Sequence, residues 1–194
     1  MAEFIYYSKS AVTAGNFIKE NLMEAGRMDI VVNVIISTLF LSHETRKDVK
    51  LHLLFDGPPN PPMHILIEYH PDLPISKKDV GGLIKKILFK APKEKGKITN
   101  PIPGCFAEKK SFEALIEELN EQGKNIFLLD KKGEDIRNLK LKGNEVFVLG
   151  DQDGFPSDKK SLLKRIDKIS VSPKTLFASQ VVTIVHNEID RQQI

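Results

Sequence analysis

A single cysteine, Cys105, in 194 residues leaves no internal disulfide framework and no cysteine-rich metal site. No apolar run approaches the roughly 20 residues needed to cross a bilayer, and the longest, Ile30 to Leu41, is interrupted by Asn33, Ser37 and Thr38. The opening Met1-Ala2-Glu3-Phe4 lacks a basic segment followed by an apolar stretch, so a cytoplasmic protein without membrane contact is expected. Equally missing are a P-loop, a G-x-G-x-x-G turn, a G-x-S-x-G elbow and an H-E-x-x-H helix, which sets aside the commoner nucleotide, dinucleotide, hydrolase and zinc-protease chemistries. His43, His52, His64, His70 and His186 are scattered. His64 and His70 share one strand face but sit roughly 20 Å apart, so metal binding is not expected. The net charge of +3 is too small to mark a nucleic-acid binder by itself.

What is present describes a folded α/β chain. Hydrophobic residues make up 41% and charged residues 28%, near globular averages, and the length suits one domain over residues 1–194. Apolar and β-rich runs predict strands at Glu3 to Tyr7, Val49 to Phe55, His64 to Tyr69, Ile126 to Leu129, Glu145 to Leu149 and Lys168 to Val171. Helices are expected from Met28 to Leu41, from a Ser76 cap to Phe89, from Ser111 to Asn120, around Ser157 to Leu163, and from Thr175 to Asp190. In the last of these, Phe177, Val181, Ile184, Val185 and Ile189 form an apolar stripe. Ala91 to Pro103, rich in Lys, Pro and Gly, reads as a connection. Strands alternating with helices predict a largely parallel sheet.

Four segments carry chemical interest. Lys77 to Lys97 holds eight lysines against Asp79 and Glu94, either a phosphate-facing surface or a solvated face. Asp56-Gly57-Pro58-Pro59-Asn60-Pro61-Pro62 is a proline-stiffened loop directly after a strand. The loops Gly150-Asp151-Gln152-Asp153-Gly154 and Ile169 to Leu176 leave strand ends, and with Leu129 they can contribute to one cleft, where open α/β sheets place ligands.

The Gly150 loop, followed by Ser170-Val171-Ser172-Pro173-Lys174-Thr175-Leu176, by Ala178-Ser179-Gln180 and by a closing helix ending His186-Asn187-Glu188-Ile189-Asp190, resembles the SPOUT methyltransferases. Ala25-Gly26-Arg27-Met28-Asp29, Phe40-Leu41-Ser42-His43, Arg46-Lys47-Asp48-Val49 and Lys110-Ser111-Phe112-Glu113 narrow the likeness to the archaeal tRNA pseudouridine-54 N1-methyltransferases, over nearly the whole chain. The resemblance implies a SPOUT-type α/β fold with a deep C-terminal trefoil knot, a feature otherwise nearly absent from proteins. It implies RNA-facing loops in residues 1–105 and a knotted S-adenosyl-L-methionine site in residues 106–194. Leu129, Gly150, Val171, Ser172, Pro173, Lys174, Thr175 and Leu176 then fall on the cofactor.

Family members commonly carry a cysteine after Ala-Ser-Gln; here Val181 stands in that place, able to line the methionine end of the pocket by packing. The implied activity is N1-methylation of pseudouridine 54 in the tRNA T-loop by a homodimer. The same chemistry on ribosomal RNA, or a non-catalytic RNA-binding relative, are the alternatives. Asp56 would orient the base or take the N1 proton, unless it only caps its turn; Arg27 would hold a phosphate or carboxylate, unless it forms a structural ion pair. Lys85, Lys86 and Lys90 would grip the RNA backbone.

Overall fold

A computed structural model describes residues 1–192, so the last two positions of the expected domain lie outside the described residues. Its centre is β1 (Ala2–Ser8), every residue of which is buried. Sequential strands β2 (Val49–Phe55) and β3 (Met63–Glu68), the later pair β4 (Ile98–Ile102) and β5 (Cys105–Glu108), then β6 (Asn125–Asp135), β7 (Glu145–Gly150) and β8 (Asp167–Ser170) join it in one sheet of order β4-β5-β3-β2-β1-β7-β6-β8. β2, β1, β7, β6 and β8 run parallel, while β3, β5 and β4 continue the sheet antiparallel.

The central parallel strands β1 and β7 are buried on both faces, which explains their largely apolar runs, whereas β6 and β8 toward the edge are more polar and more exposed. Phe4 and Tyr6 of β1 point into the larger core, against α1 (Met28–Leu39), α2 (Val80–Lys90) and α5 (Ala178–Gln192). Ile5 and Tyr7 point into the smaller one, against α3 (Phe112–Glu121) and Leu163 of α4 (Lys160–Leu163).

The structure corrects several expected boundaries. Ala91 to Pro103 is not merely a connection. It contains β4, which turns through Gly104 into β5, with Cys105 and Ala107 fully buried. Ser76 does not cap α2: its hydroxyl accepts from the Lys78 amide, and Asp79 occupies the N-cap position instead. Residues 171–177 form a turn, with the Lys174 amide bonded to Ser172 Oγ and the Phe177 amide to Gln180 Oε1, so α5 starts three residues late. Phe177 accordingly leaves the stripe and is 75% exposed; Val185 and Ile189 of the stripe are buried, Val181 and Ile184 half-buried, and Val182 and His186 join the buried face. His186 Nε2 lies 3.0 Å from the Thr38 carbonyl oxygen, and Arg46 grips Asp190 at 2.8 and 2.6 Å, tying α5 to α1 and its following loop.

The scattered histidines are not all solitary. His52 and His64 stack in parallel, 5.2 Å between centroids, and their Nδ1 and Nε2 atoms approach to 2.9 Å. Glu3 closes one end at 3.0 Å and Glu108 the other at 3.0 Å, with Lys124 and Lys110 behind them. For all three contacts to be hydrogen bonds the rings need three N–H protons, one more than two neutral imidazoles carry. Each carboxylate that caps the stacked pair is itself backed by a lysine, so the buried row has a charged partner at both ends.

Burial pushes His64 down to about 4. Burial, with Arg46 beside it, does the same to His186. Burial would raise Glu3, but His52 and Lys124 hold it near 2; His64 and Lys110 do so for Glu108. A depressed histidine pKa means the unfolded chain takes its proton first, so stability is lost as pH falls below about 6.5 and continues to fall toward 4. The two carboxylates, depressed likewise, add to the loss from about 4.5 toward 2. Urea unfolding midpoints should therefore drop steadily between pH 7 and pH 4, each histidine contributing on the order of 3 kcal/mol.

Candidate functional site

The C-terminal ends of the parallel strands carry a cavity of about 490 Å³. β6 supplies Leu128, Leu129 and Asp130, and β7 supplies Leu149 and Gly150. Thr175, Leu176 and Val181 close it from the turn into α5. Ile30 enters from the first turn of α1. A side chain on Gly150 would start 3.1 Å from the Phe155 ring, so the absence of one keeps this wall open. Val171, Ser172 and Lys174 instead border an adjoining cavity of about 260 Å³, which shares Leu129, Thr175, Leu176 and Val181 with the first. Pro173 borders neither and serves to fix the bend.

The loop after β7 is held from β1. Asp151 Oδ2 accepts from Ser8 Oγ at 2.8 Å and from the Lys9 amide at 3.0 Å, and its Oδ1 accepts from the Asp153 amide at 3.0 Å. This buried carboxylate therefore shapes the loop rather than facing the cavity with a free charge. On the opposite wall, Asp130 is held below the usual carboxylate range by the Lys168 ammonium 2.8 Å away.

Asp56 leaves β2 beside this loop. Its amide donates to the Ser8 carbonyl at 2.9 Å, and Thr13 binds Gly57, Pro58 and Asn60 of the proline segment, so the position is rigid. Asp56 is more than a turn cap: Tyr7 donates to its Oδ2 at 2.7 Å, and Lys159 Nζ lies 3.6 Å from the same oxygen. Lys159 is buried, bonds Glu113 at 2.8 Å and stands over the Tyr7 ring at 5.4 Å. Tyr7 also stacks on Phe155, a lining residue of the main cavity, with centroids 5.1 Å apart. Burial and the adjacent Asp56 push the Tyr7 phenol well above its ordinary range, so it remains a donor. Sequence reading passed over Tyr7 and Lys159. Tyr7 reads as core, and Lys159 lies in an ordinary charged run.

Arg27 opens α1 in a left-handed conformation, φ 62°, directly after Gly26 at φ 69°. Such a conformation is uncommon outside glycine and tends to be kept where function uses it. Its guanidinium pairs with both oxygens of Asp29, each at 3.0 Å, three positions before the cavity residue Ile30. Lys85, Lys86 and Lys90 lie together on α2, apart from the cavity wall. Cys105 is fully buried under the antiparallel strands and its thiol is pushed up to about 12, so it takes no part in the site.

A parallel α/β sheet whose ligand-sized cavity sits at the strand ends, walled by leucines and a glycine-bearing loop, defines a small-molecule-binding α/β protein. Comparison gives the class a family. The family described as "Putative SAM-dependent RNA methyltransferase" matches residues 1–194, and the chain belongs to it. It is 35% identical to the tRNA (pseudouridine(54)-N(1))-methyltransferase of Methanococcus aeolicus, covering 100% of both chains. It is 37% identical to the enzyme of that name from Methanococcoides burtonii, over 98% of this chain and 96% of that one. Among solved structures, Archaeoglobus fulgidus Nep1 bound to S-adenosylhomocysteine superposes with a TM-score of 0.68 at 14% identity, covering 99% and 98% of the two chains, a likeness of fold.

Asp151→Ala should leave the Ser8 hydroxyl and the Lys9 and Asp153 amides without their acceptor. We expect a loss of about 2 kcal/mol or more in urea unfolding, against a near-neutral effect of the same change at exposed Asp153.

Proposed function

We propose that this chain transfers the methyl group of S-adenosylmethionine to N1 of pseudouridine 54 in tRNA. One observation carries the reading: the strand-end cavity, to whose lining residue Phe155 the held Asp56 is linked through Tyr7, belongs to a chain that aligns end to end with relatives bearing that name.

The cavity suits the cofactor. Its leucine walls, Leu129, Leu149 and Leu176, fit a purine, the Gly150 opening admits a close approach, and Thr175 offers a hydroxyl. Val171, Ser172 and Lys174 extend the lining along the adjoining cavity, with Pro173 fixing the loop. Val181 borders both cavities by packing, which leaves no thiol at this position and favours a route without one. When bound, the cofactor supplies an activated methyl on a sulfonium.

The chain's own residues do the rest. Methylation at N1 requires that nitrogen to lose its proton. Among the described residues both contacts to Asp56 fall on Oδ2, which leaves Oδ1 to meet the N1–H of the base. Tyr7 and Lys159 keep that carboxylate oriented. Arg27, pinned by Asp29 at the cavity's edge, presents a guanidinium to a phosphate. Lys85, Lys86 and Lys90 hold the RNA backbone.

The reading extends to assembly and topology. A homodimer is supported by Phe177, 75% exposed beside the cavity. A trefoil knot is supported by β8 lying outside β6 at the sheet edge while α5 returns to pack on α1. A cytoplasmic location follows from the tRNA substrate, and no helix among the described residues is long and apolar enough to cross a membrane.

Mass spectrometry should show one methyl added to tRNA carrying pseudouridine at position 54 and none to tRNA carrying uridine there; methylation of neither would refute the reading. Asp56→Ala should lower kcat by about 10²-fold with cofactor affinity unchanged, measured by single-turnover kinetics and calorimetry. Replacing Lys85, Lys86 and Lys90 together by alanine should reduce the slope of log affinity for tRNA against log salt by about 2 to 3, whereas an unchanged slope would mark them as solvated lysines.

A further inference from the structure

The segment between β1 and α1 leaves the same end of the sheet as the cavity, since Ser8 holds the Asp151 loop and Thr13 holds the Asp56 loop. Within it a short 3-10 turn, Gly15–Phe17, lies against the C-terminal half of α2. The approach is so close that a side chain on Gly15 would start 2.5 Å from the Lys85 carbonyl oxygen and 2.7 Å from the Phe89 ring. The C-terminal half of α2 therefore stands at the site end of the sheet, against the segment that leaves β1.

Two phenylalanines rise from this junction into solvent. Phe17 is 49% exposed and Phe89 59%, although both adjoin well-packed elements that bury Ile18, Ile87 and Leu88. Neither contributes to the core, where a phenylalanine of an ordinary helix would be expected. Around them stand Lys85, Lys86 and Lys90 of α2 and the exposed Lys19, with Glu20 the acidic neighbour on the turn side. Among these lysines, Lys86 comes within 3.9 Å of Asp79, a loose exposed contact that leaves the ammonium available. Exposed aromatic faces set among lysines are what unpaired nucleic-acid strands use: phosphates meet the ammonium groups and bases stack on the rings. A protein partner would favour an apolar patch rimmed by both signs of charge, and a second copy of this basic chain would bring lysines against lysines.

We propose that Phe17 and Phe89 form a stacking platform for unpaired bases next to the target nucleotide, with Lys85, Lys86 and Lys90 holding the phosphates between them. The inference rests on the reading of this chain as an RNA methyltransferase acting on a tRNA loop. A base that is methylated at a ring atom must leave its stack, and its loop neighbours lose stacking when it does. The two rings replace that lost stacking, so the RNA is bound in an opened form, with its loop reaching from the strand-end cavity to the junction of the Gly15–Phe17 turn and α2.

The test uses the full chain with two labelled RNAs of equal charge, a T-arm hairpin with its unpaired loop and a blunt duplex. Phe17→Ala and Phe89→Ala should each weaken hairpin binding about tenfold, leave duplex binding and the salt slope unchanged, and leave calorimetric cofactor affinity intact. Phe89→Tyr should bind as the parent does, and Phe89→Leu, equally apolar but without a ring face, should not. 2-Aminopurine in the hairpin loop should be quenched on binding the parent and less so with either alanine variant. Equal weakening on duplex and hairpin, no weakening, full retention by Phe89→Leu, or a change of oligomeric state by light scattering would each overturn the platform. A parent chain that binds neither RNA would instead sink the tRNA reading on which the platform rests.

Discussion

Everything at the functional end depends on β1 being sealed into the middle of the sheet. Its seven residues are buried, with parallel neighbours β2 and β7 on either side and a helical layer or α3 over each face. A strand so enclosed has no edge to fray, and its end is therefore a fixed point. Ser8, the last residue, uses its hydroxyl for Asp151 and its carbonyl for the Asp56 amide, so one strand terminus positions both loops of the site. Tyr7, one residue earlier, points to the opposite core and carries its hydroxyl to Asp56 from below.

The polar groups buried by this arrangement are paired with unusual economy. Among the described residues no buried side-chain nitrogen or oxygen lacks a partner. The His52–His64 row and the Tyr7–Asp56–Lys159–Glu113 cluster occupy the same face of the sheet, the one that α3 covers. That face is where the apolar cover is thinner, and charged pairs fill it at the expense of acid stability. The opposite face, under α1, α2 and α5, is almost wholly apolar and supplies the rigid backing for the cavity.

How much was legible beforehand divides along the range of the interactions. β2 was expected at its observed limits, and β1, β7 and α3 to within a residue or two, because each has a local period or a local cap such as Ser111 accepting from the Ala114 amide at 3.3 Å. The hairpin of β4 and β5 was not legible: Pro101, Pro103 and the surrounding lysines read as loop, and only pairing with β3 makes strands of them. For the site, Leu129, Gly150, Thr175, Leu176 and Val181 do converge on one cavity, as loops at successive strand ends must. Val171, Ser172 and Lys174 fall to the side and Pro173 outside.

The sequence by itself determined the elements and their buried faces, since apolar periodicity and strand-to-helix order are local properties that survive without knowing the partner. It also determined which loops would emerge at the ligand end. The tertiary structure alone decided which polar groups meet, Ser8 with Asp151, Tyr7 and Lys159 with Asp56, His52 with His64, and it alone set the Gly15–Phe17 turn against Phe89. Those pairings join residues far apart along the chain, and hydrogen bonds and ion pairs depend on separations of a few ångströms that no sequence spacing encodes.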